Sequence, residues 1–110
     1  MYARVWKLIV LPGNLEGFTA DVKHGMSILR GQPGFRGLLV MHSGTGEGLE
    51  ATIVSMWTTI DTLRNSETPA FKEALVGLLS HCERRPVMRE EEVLVSEYFS
   101  HDVDDSVTRF

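Results

Sequence analysis

A single cysteine, Cys82, in 110 residues leaves no partner for an internal disulfide and excludes a zinc site made of thiolates alone. Long apolar runs are missing too. None approaches the roughly 18 residues that a membrane-spanning helix needs, so no membrane partner is expected. Basic residues are scarce: 11 Lys and Arg stand against 15 Asp and Glu, a net charge of −4. The largest basic cluster, Arg84-Arg85 with Arg89 close by, runs straight into Glu90-Glu91-Glu92. Nucleic acid is therefore not an expected partner, because its binding rests on Lys and Arg against phosphates. Strand-like sequence starts at Ala3 and leaves no room for a secretory leader, so the expected location is the cytoplasm.

What is present reads as one domain spanning residues 1–110, with a core of about 3–100 and an acidic tail over 101–110. Apolar residues at 43% and charged residues at 24% argue for a folded chain and against disorder. Ala3 to Leu11 alternates Val5, Ile9 and Leu11 with Trp6, Leu8 and Val10. A strand apolar on both faces is covered on both. Pro12-Gly13 breaks it, and Asn14 is placed to cap a helix. Leu15, Phe18, Val22, Met26 and Leu29 then recur at three- and four-residue spacings, which makes one apolar helix face ending near Arg30-Gly31.

Pro33-Gly34 signals a turn. Phe35 to Ser43 and Ala51 to Thr58 read as antiparallel strands joined by the glycine-rich loop 43–48. That loop opens no helix, so it does not read as a phosphate cradle. Thr59 to Arg64 reads as a short helical turn capped by Thr59. A longer helix starts at Pro69, buries Phe71, Leu75, Leu78 and Cys82, carries Arg84 and Arg85 in its last turn and stops at Pro86. Glu92 to Ser100 reads as the last strand, with Glu97 facing Arg4 or Arg36 or standing at a pocket mouth. The order βαββαβ predicts an α+β, ferredoxin-like sandwich: an antiparallel sheet with two helices on one face. The other sheet face then needs cover, most simply a second copy packed sheet to sheet.

Pro33-Gly34-Phe35-Arg36-Gly37, Trp57, the turn from Thr58 to Leu63 and the helix start Pro69-Ala70-Phe71, in this order and spacing, resemble the antibiotic biosynthesis monooxygenase (ABM) domain family. The resemblance covers roughly residues 3–100. It implies a dimeric α+β barrel in which each subunit holds a pocket between sheet and helices. It also implies a family that contains cofactor-independent oxygenases acting on aromatic polyketides or quinols, haem-degrading enzymes, and members without known activity. Trp57 is the residue it carries over. Where oxygenases of the polyketide type resemble one another in an asparagine, Ile53 stands here. The haem-degrading pattern of a strand-one asparagine, a tryptophan after strand three and a helix histidine in register is missing, so no haem is expected.

The expectations for chemistry follow. The four histidines, His24, His42, His81 and His101, are not spaced as metal ligands, so no metal is expected; that no other cofactor is needed is what the resemblance implies. His81 and His42 are the candidate proton handlers, read against the plainer possibility of ordinary hydrogen-bonded histidines. Trp57, Trp6, Tyr98 and Phe71 are the candidate walls for a small aromatic ligand, read against simple core packing. Ser55 has no sequence partner for a hydrolase triad, and Cys82 reads as a small hydrophobe. Two functions are expected in order: a cofactor-free oxygenase-like protein acting on an aromatic or quinol ring, and a non-catalytic dimeric domain binding a small hydrophobic molecule. A haem-binding relative is third.

Overall fold

In the computed structural model, strand β1 (Tyr2–Val10) leads into helix α1 (Leu15–Leu29), strands β2 (Phe35–Ser43) and β3 (Leu49–Trp57), helices α2 (Ile60–Asn65) and α3 (Pro69–Leu79), and strand β4 (Cys82–Glu92). The structure describes residues 1–44 and 49–97, and of Arg84 and Arg85 the backbone alone. The strands form one sheet in the order β2-β3-β1-β4, with every neighbouring pair antiparallel. This is the expected ferredoxin-like α+β arrangement.

Strand alternation decides which side chains meet the helices. The β1–β3 register pairs Trp6 with Ile53, Leu8 with Ala51 and Val10 with Leu49, all on the helix side. Leu8, Val10, Ala51 and Ile53 pack there with Phe18 of α1 and Leu78 of α3 in one core cluster. A second cluster at the other end joins Leu29, Trp57 and Leu63, with Phe35, Ile60 and Phe71 packed around it. Leu38 touches both clusters.

The helix starts are set by local chemistry. Thr59 accepts from the backbone N–H of Thr62, and Thr62 Oγ1 accepts from the N–H of Thr59, a reciprocal capping box for α2. Thr68 accepts from the N–H of Phe71 and Pro69 opens α3, where its missing N–H costs nothing. Asn14 precedes α1 as expected, but its side chain makes no capping bond. It is used elsewhere, as described below. Gly34 sits at φ +79°, and its carbonyl accepts from the N–H of Thr58 at 2.9 Å.

The end of the chain differs from the expected reading. Helix α3 stops at Leu79, so Arg84 and Arg85 are not in its last turn, Cys82 opens β4, and Pro86 lies within a strand. The strand is Cys82–Glu92, and Leu94 and Val95, expected inside it, are 85% and 86% exposed. Two facts explain this. Strand β4 is a sheet edge, where charged residues and a proline are tolerated. Its pairing with β1 is also irregular between Lys7 and Ile9, whose partners are Val87 and Glu83, so β4 bulges where Pro86 stands.

The second fact is Arg4, only 3% exposed yet on the helix side of β1. Arg4 Nη2 donates to Glu90 Oε2 at 3.2 Å, Nη1 lies 3.6 Å from Glu67 Oε1, and Arg64 Nη2 donates to the other Glu90 oxygen at 3.1 Å. Burial pushes the Glu90 carboxyl up, but hydrogen bonds from Arg4 and Arg64 outweigh it and hold it below the usual carboxylate range. An unpaired buried guanidinium is costly, so Glu90 belongs beside Arg4, and this register brings Cys82–Glu92 into the sheet. Arg4 therefore pairs with Glu90 and Glu67, and Glu97 stands exposed beyond the strand.

The opposite sheet face presents Val5, Ile9, Leu39, Met41, Val54 and Val87, and no described element lies over it. Leu39, Met41 and Val87 are each about half exposed there.

Candidate active site between the helices and the sheet

A cavity separates the two core clusters, with about 60 Å³ open to the centres of water-sized molecules. Helix α1 lines it with Asp21, Val22, Gly25, Met26 and Leu29, and α3 with Phe71, Ala74, Leu75 and Leu78. The sheet floor is Trp6, Leu38, Ile53 and Ser55. Two side chains in this wall, Asp21 and Ser55, can hydrogen-bond to a ligand through oxygen. An apolar chamber with few polar groups is the usual form of a small-molecule site.

The expected wall residues divide. Trp6 and Phe71 line the cavity. Tyr98 lies outside the described residues. Trp57 is not in the wall: it is 1% exposed, packs with Leu29 and Leu63, and meets Phe35 edge to face at 5.3 Å between ring centroids. Its Nε1 donates to Ser55 Oγ at 3.0 Å within the core. The reason is its place along the strand: Trp57, Ser55 and Ile53 all point inward, but Trp57 ends β3 and the cavity opens beside the other two. Trp57 thus holds the Ser55 oxygen as an acceptor and leaves the Ser55 hydroxyl hydrogen for another partner.

The candidate proton handlers divide as well. His42 is exposed on edge strand β2 opposite Ala51, and it does not touch the cavity. His81 lies in the turn between α3 and β4, not on the helix as expected. Its Nε2 is 2.9 Å from Asp21 Oδ2 and its Nδ1 is 3.1 Å from Asn14 Oδ1. Asn14 Nδ2 donates to Pro12 O at 3.1 Å, which turns Oδ1 toward the ring. The imidazole fills the space beside Gly17, where a Cβ would come within 2.5 Å of His81 Cε1. A glycine inside a helix costs about 1 kcal/mol relative to alanine. Here it makes room for the ring. His81 therefore reaches the cavity through Asp21.

Asp21 was not singled out from sequence, and Ser55 was weighed there only as a hydrolase nucleophile. Asn14, Gly17, Asp21 and Gly25 recur at three- and four-residue spacings, a small and polar stripe beside the apolar stripe of α1. That stripe was the readable signal for Asp21. Ser55 was readable as the polar residue between inward-facing Ile53 and Trp57. Cys82 is half-buried against the first core cluster, and burial pushes its thiol up, away from the reactive thiolate. Among the described residues no three His, Cys, Asp or Glu side chains converge as metal ligands.

No protein-family model matches the chain, and no curated protein matches it. Solved structures do match. A protein of Caulobacter crescentus assigned to the antibiotic biosynthesis monooxygenases is 20% identical with a TM-score of 0.73, over 86% of this chain and 90% of that one. One of Bordetella bronchiseptica with the same assignment is 19% identical with a TM-score of 0.72, over 86% and 97%. SnoaB, a cofactor-independent oxygenase from Streptomyces nogalater, is 14% identical with a TM-score of 0.71, over 86% and 95%. The fold of this chain is the fold of these proteins.

Proposed function

We propose that this chain is an ABM-like protein that binds a small hydroxylated aromatic or quinol ring in the cavity and supports its oxygenation by dioxygen without a cofactor. The observation that carries this reading is the cavity: lined mainly by aromatic and aliphatic side chains, with side-chain oxygens only at Asp21 and Ser55. Its position between sheet and helices is the one that the family resemblance implies, and SnoaB, of the same fold, is named as a cofactor-independent oxygenase. An electron-rich phenol or quinol, once deprotonated, can itself reduce dioxygen. The protein's part is then to exclude water, hold the ring and stabilise the anion. Trp6 and Phe71 offer flat apolar walls, and the Ser55 hydroxyl is a donor for the developing oxyanion. Met26, unbranched and adaptable, is the wall side chain best suited to yield to a ring.

Oxygen uptake with a panel of hydroquinones, paired with melting temperatures, tests the reading. At least one hydroquinone is expected to raise Tm and to consume dioxygen, and Ser55→Ala is expected to slow uptake by about a hundredfold, the usual effect of one oxyanion donor. A rise in Tm without uptake selects the second reading, a binding domain without turnover. The burial of Trp57 behind the cavity wall and the apolar Ile53 favour that alternative. Neither effect in any hydroquinone overturns both.

The sheet face away from the helices supports a homodimer. Its apolar residues at Val5, Leu39, Met41, Val54 and Val87 form a surface that a second copy can cover sheet to sheet. Light scattering is expected to give a dimer at micromolar concentration, and Val54→Asp is expected to give a monomer. A monomeric wild-type protein would count against this assembly. A cytoplasmic location agrees with the absence of any helix long and apolar enough to cross a membrane among the described residues.

A further inference from the structure

We propose that Asp21 is the cavity group that selects a hydroxyl-bearing ring and takes its proton, with His81 as its positioning residue. The proposal rests on the cavity being the binding site. Asp21 lines the cavity, and its Oδ2 is engaged by His81 Nε2 at 2.9 Å. A carboxylate has about four acceptor positions over two oxygens, so the second oxygen is left to accept from a ligand.

The surroundings of His81 are fixed by its neighbours. Asn14 donates Nδ2 to Pro12 O, so the atom facing His81 Nδ1 is Oδ1. On the other side Nε2 also faces an oxygen. Both ring nitrogens thus face oxygens, and the contact that matters to the cavity is the one from Nε2 to Asp21 Oδ2. The imidazole is held between these two bonds in the space beside Gly17, where a Cβ would meet it at 2.5 Å. Asn14 just ahead of α1, Gly17 within it and His81 of the α3–β4 turn, 60 positions from Asp21, thus fix one carboxylate at the cavity wall.

The step is a proton transfer. The ligand O–H bond breaks, a new O–H bond forms on the second oxygen of Asp21, and the electron pair stays on the ring oxygen. No electrons change hands between molecules. The negative charge passes from the carboxylate to the ring oxygen, so the total charge is unchanged while the ring becomes the electron-rich anion. A ring whose hydroxyls are methylated offers Asp21 no hydrogen to accept and should bind less well.

Calorimetry with hydroquinone and with 1,4-dimethoxybenzene tests this. The wild-type protein is expected to bind hydroquinone roughly tenfold more tightly than the ether, the difference one hydrogen bond to a charged group makes. Asp21→Ala, and independently Asp21→Asn, are expected to shrink that preference. His81→Leu is expected to lower the preference, and His81→Gln, whose amide N–H can still donate to Asp21, to recover it. Equal binding of the two rings by the wild type, or an unchanged preference in Asp21→Ala, overturns the role of Asp21 and leaves the cavity reading standing. An unchanged preference in His81→Leu removes His81 from the positioning role. Binding of neither ring by the wild type overturns the cavity reading and this proposal with it.

Discussion

Trp57→Ala is expected to lower folding stability by about 3–5 kcal/mol, the range for removing a buried large aromatic side chain. The indole is 1% exposed and central to the cluster of Leu29 and Leu63, and it stacks edge to face on Phe35. Its truncation opens a void that the sheet cannot close, because the backbone of β3 is paired on both sides. It also removes the donor that satisfies Ser55 Oγ inside the core. Single domains are stable by only about 5–15 kcal/mol, so the variant should lie near the edge of folding. Urea unfolding followed by circular dichroism measures the loss. Trp57→Phe should retain most of the packing and lose the bond to Ser55. A loss below about 1 kcal/mol in the alanine variant would mean that the indole is not the pillar of this cluster.

Gly34→Ala is the second large effect. The residue holds φ at +79°, which costs an L-residue roughly 1–2 kcal/mol. An added Cβ would also lie 2.5 to 2.7 Å from Oγ1, Cβ and Cγ2 of Thr62. Thr62 cannot turn aside freely, since its hydroxyl donates to the Thr59 carbonyl and accepts from the Thr59 N–H. Moving it breaks the capping box of α2, worth about 0.5–2 kcal/mol. The expected total is roughly 1.5–4 kcal/mol from these two terms. Leu63 is fully buried on the same short helix, so a displaced α2 would also loosen the cluster around Trp57. Thermal unfolding checks this. An alanine variant as stable as the parent would show that the turn relaxes without disturbing α2.

The parts of the fold that were legible in the sequence are those whose signals are local. Strand β2 runs over the residues that alternation indicates, α3 starts at the proline that suits a first helical turn, and Thr59 caps α2 as its position before Ile60 suggests. Strand β4 was misplaced because Val93 and Val95 imitate an alternating strand, whereas the real strand is charged and contains a proline. What selects it is the demand of Arg4 for Glu90, a contact across 86 residues with no local trace. The site was legible in the same uneven way. Trp6 and Phe71 reach the cavity, but Trp57, at the end of β3, lies past Ser55 and outside its wall. His81 was recognised as a residue of interest and assigned to a helix, and its real partners, Asn14 and Asp21, lie on the far side of the chain in sequence. Pairings of that kind exist only after the helices have closed on the sheet.

The bulge at Pro86 has a consequence for how copies of this chain can meet. Strand β4 is one rim of the sheet, and an exposed rim is a template onto which another strand can add. Proline has no N–H to offer there, and the mismatch against β1 twists that stretch out of regular pairing. The rim is thereby blunted against open-ended stacking into fibrils, while the broad apolar face stays available. In the sheet-to-sheet dimer proposed above, the same strand that completes the sheet thus also discourages further growth along the ladder.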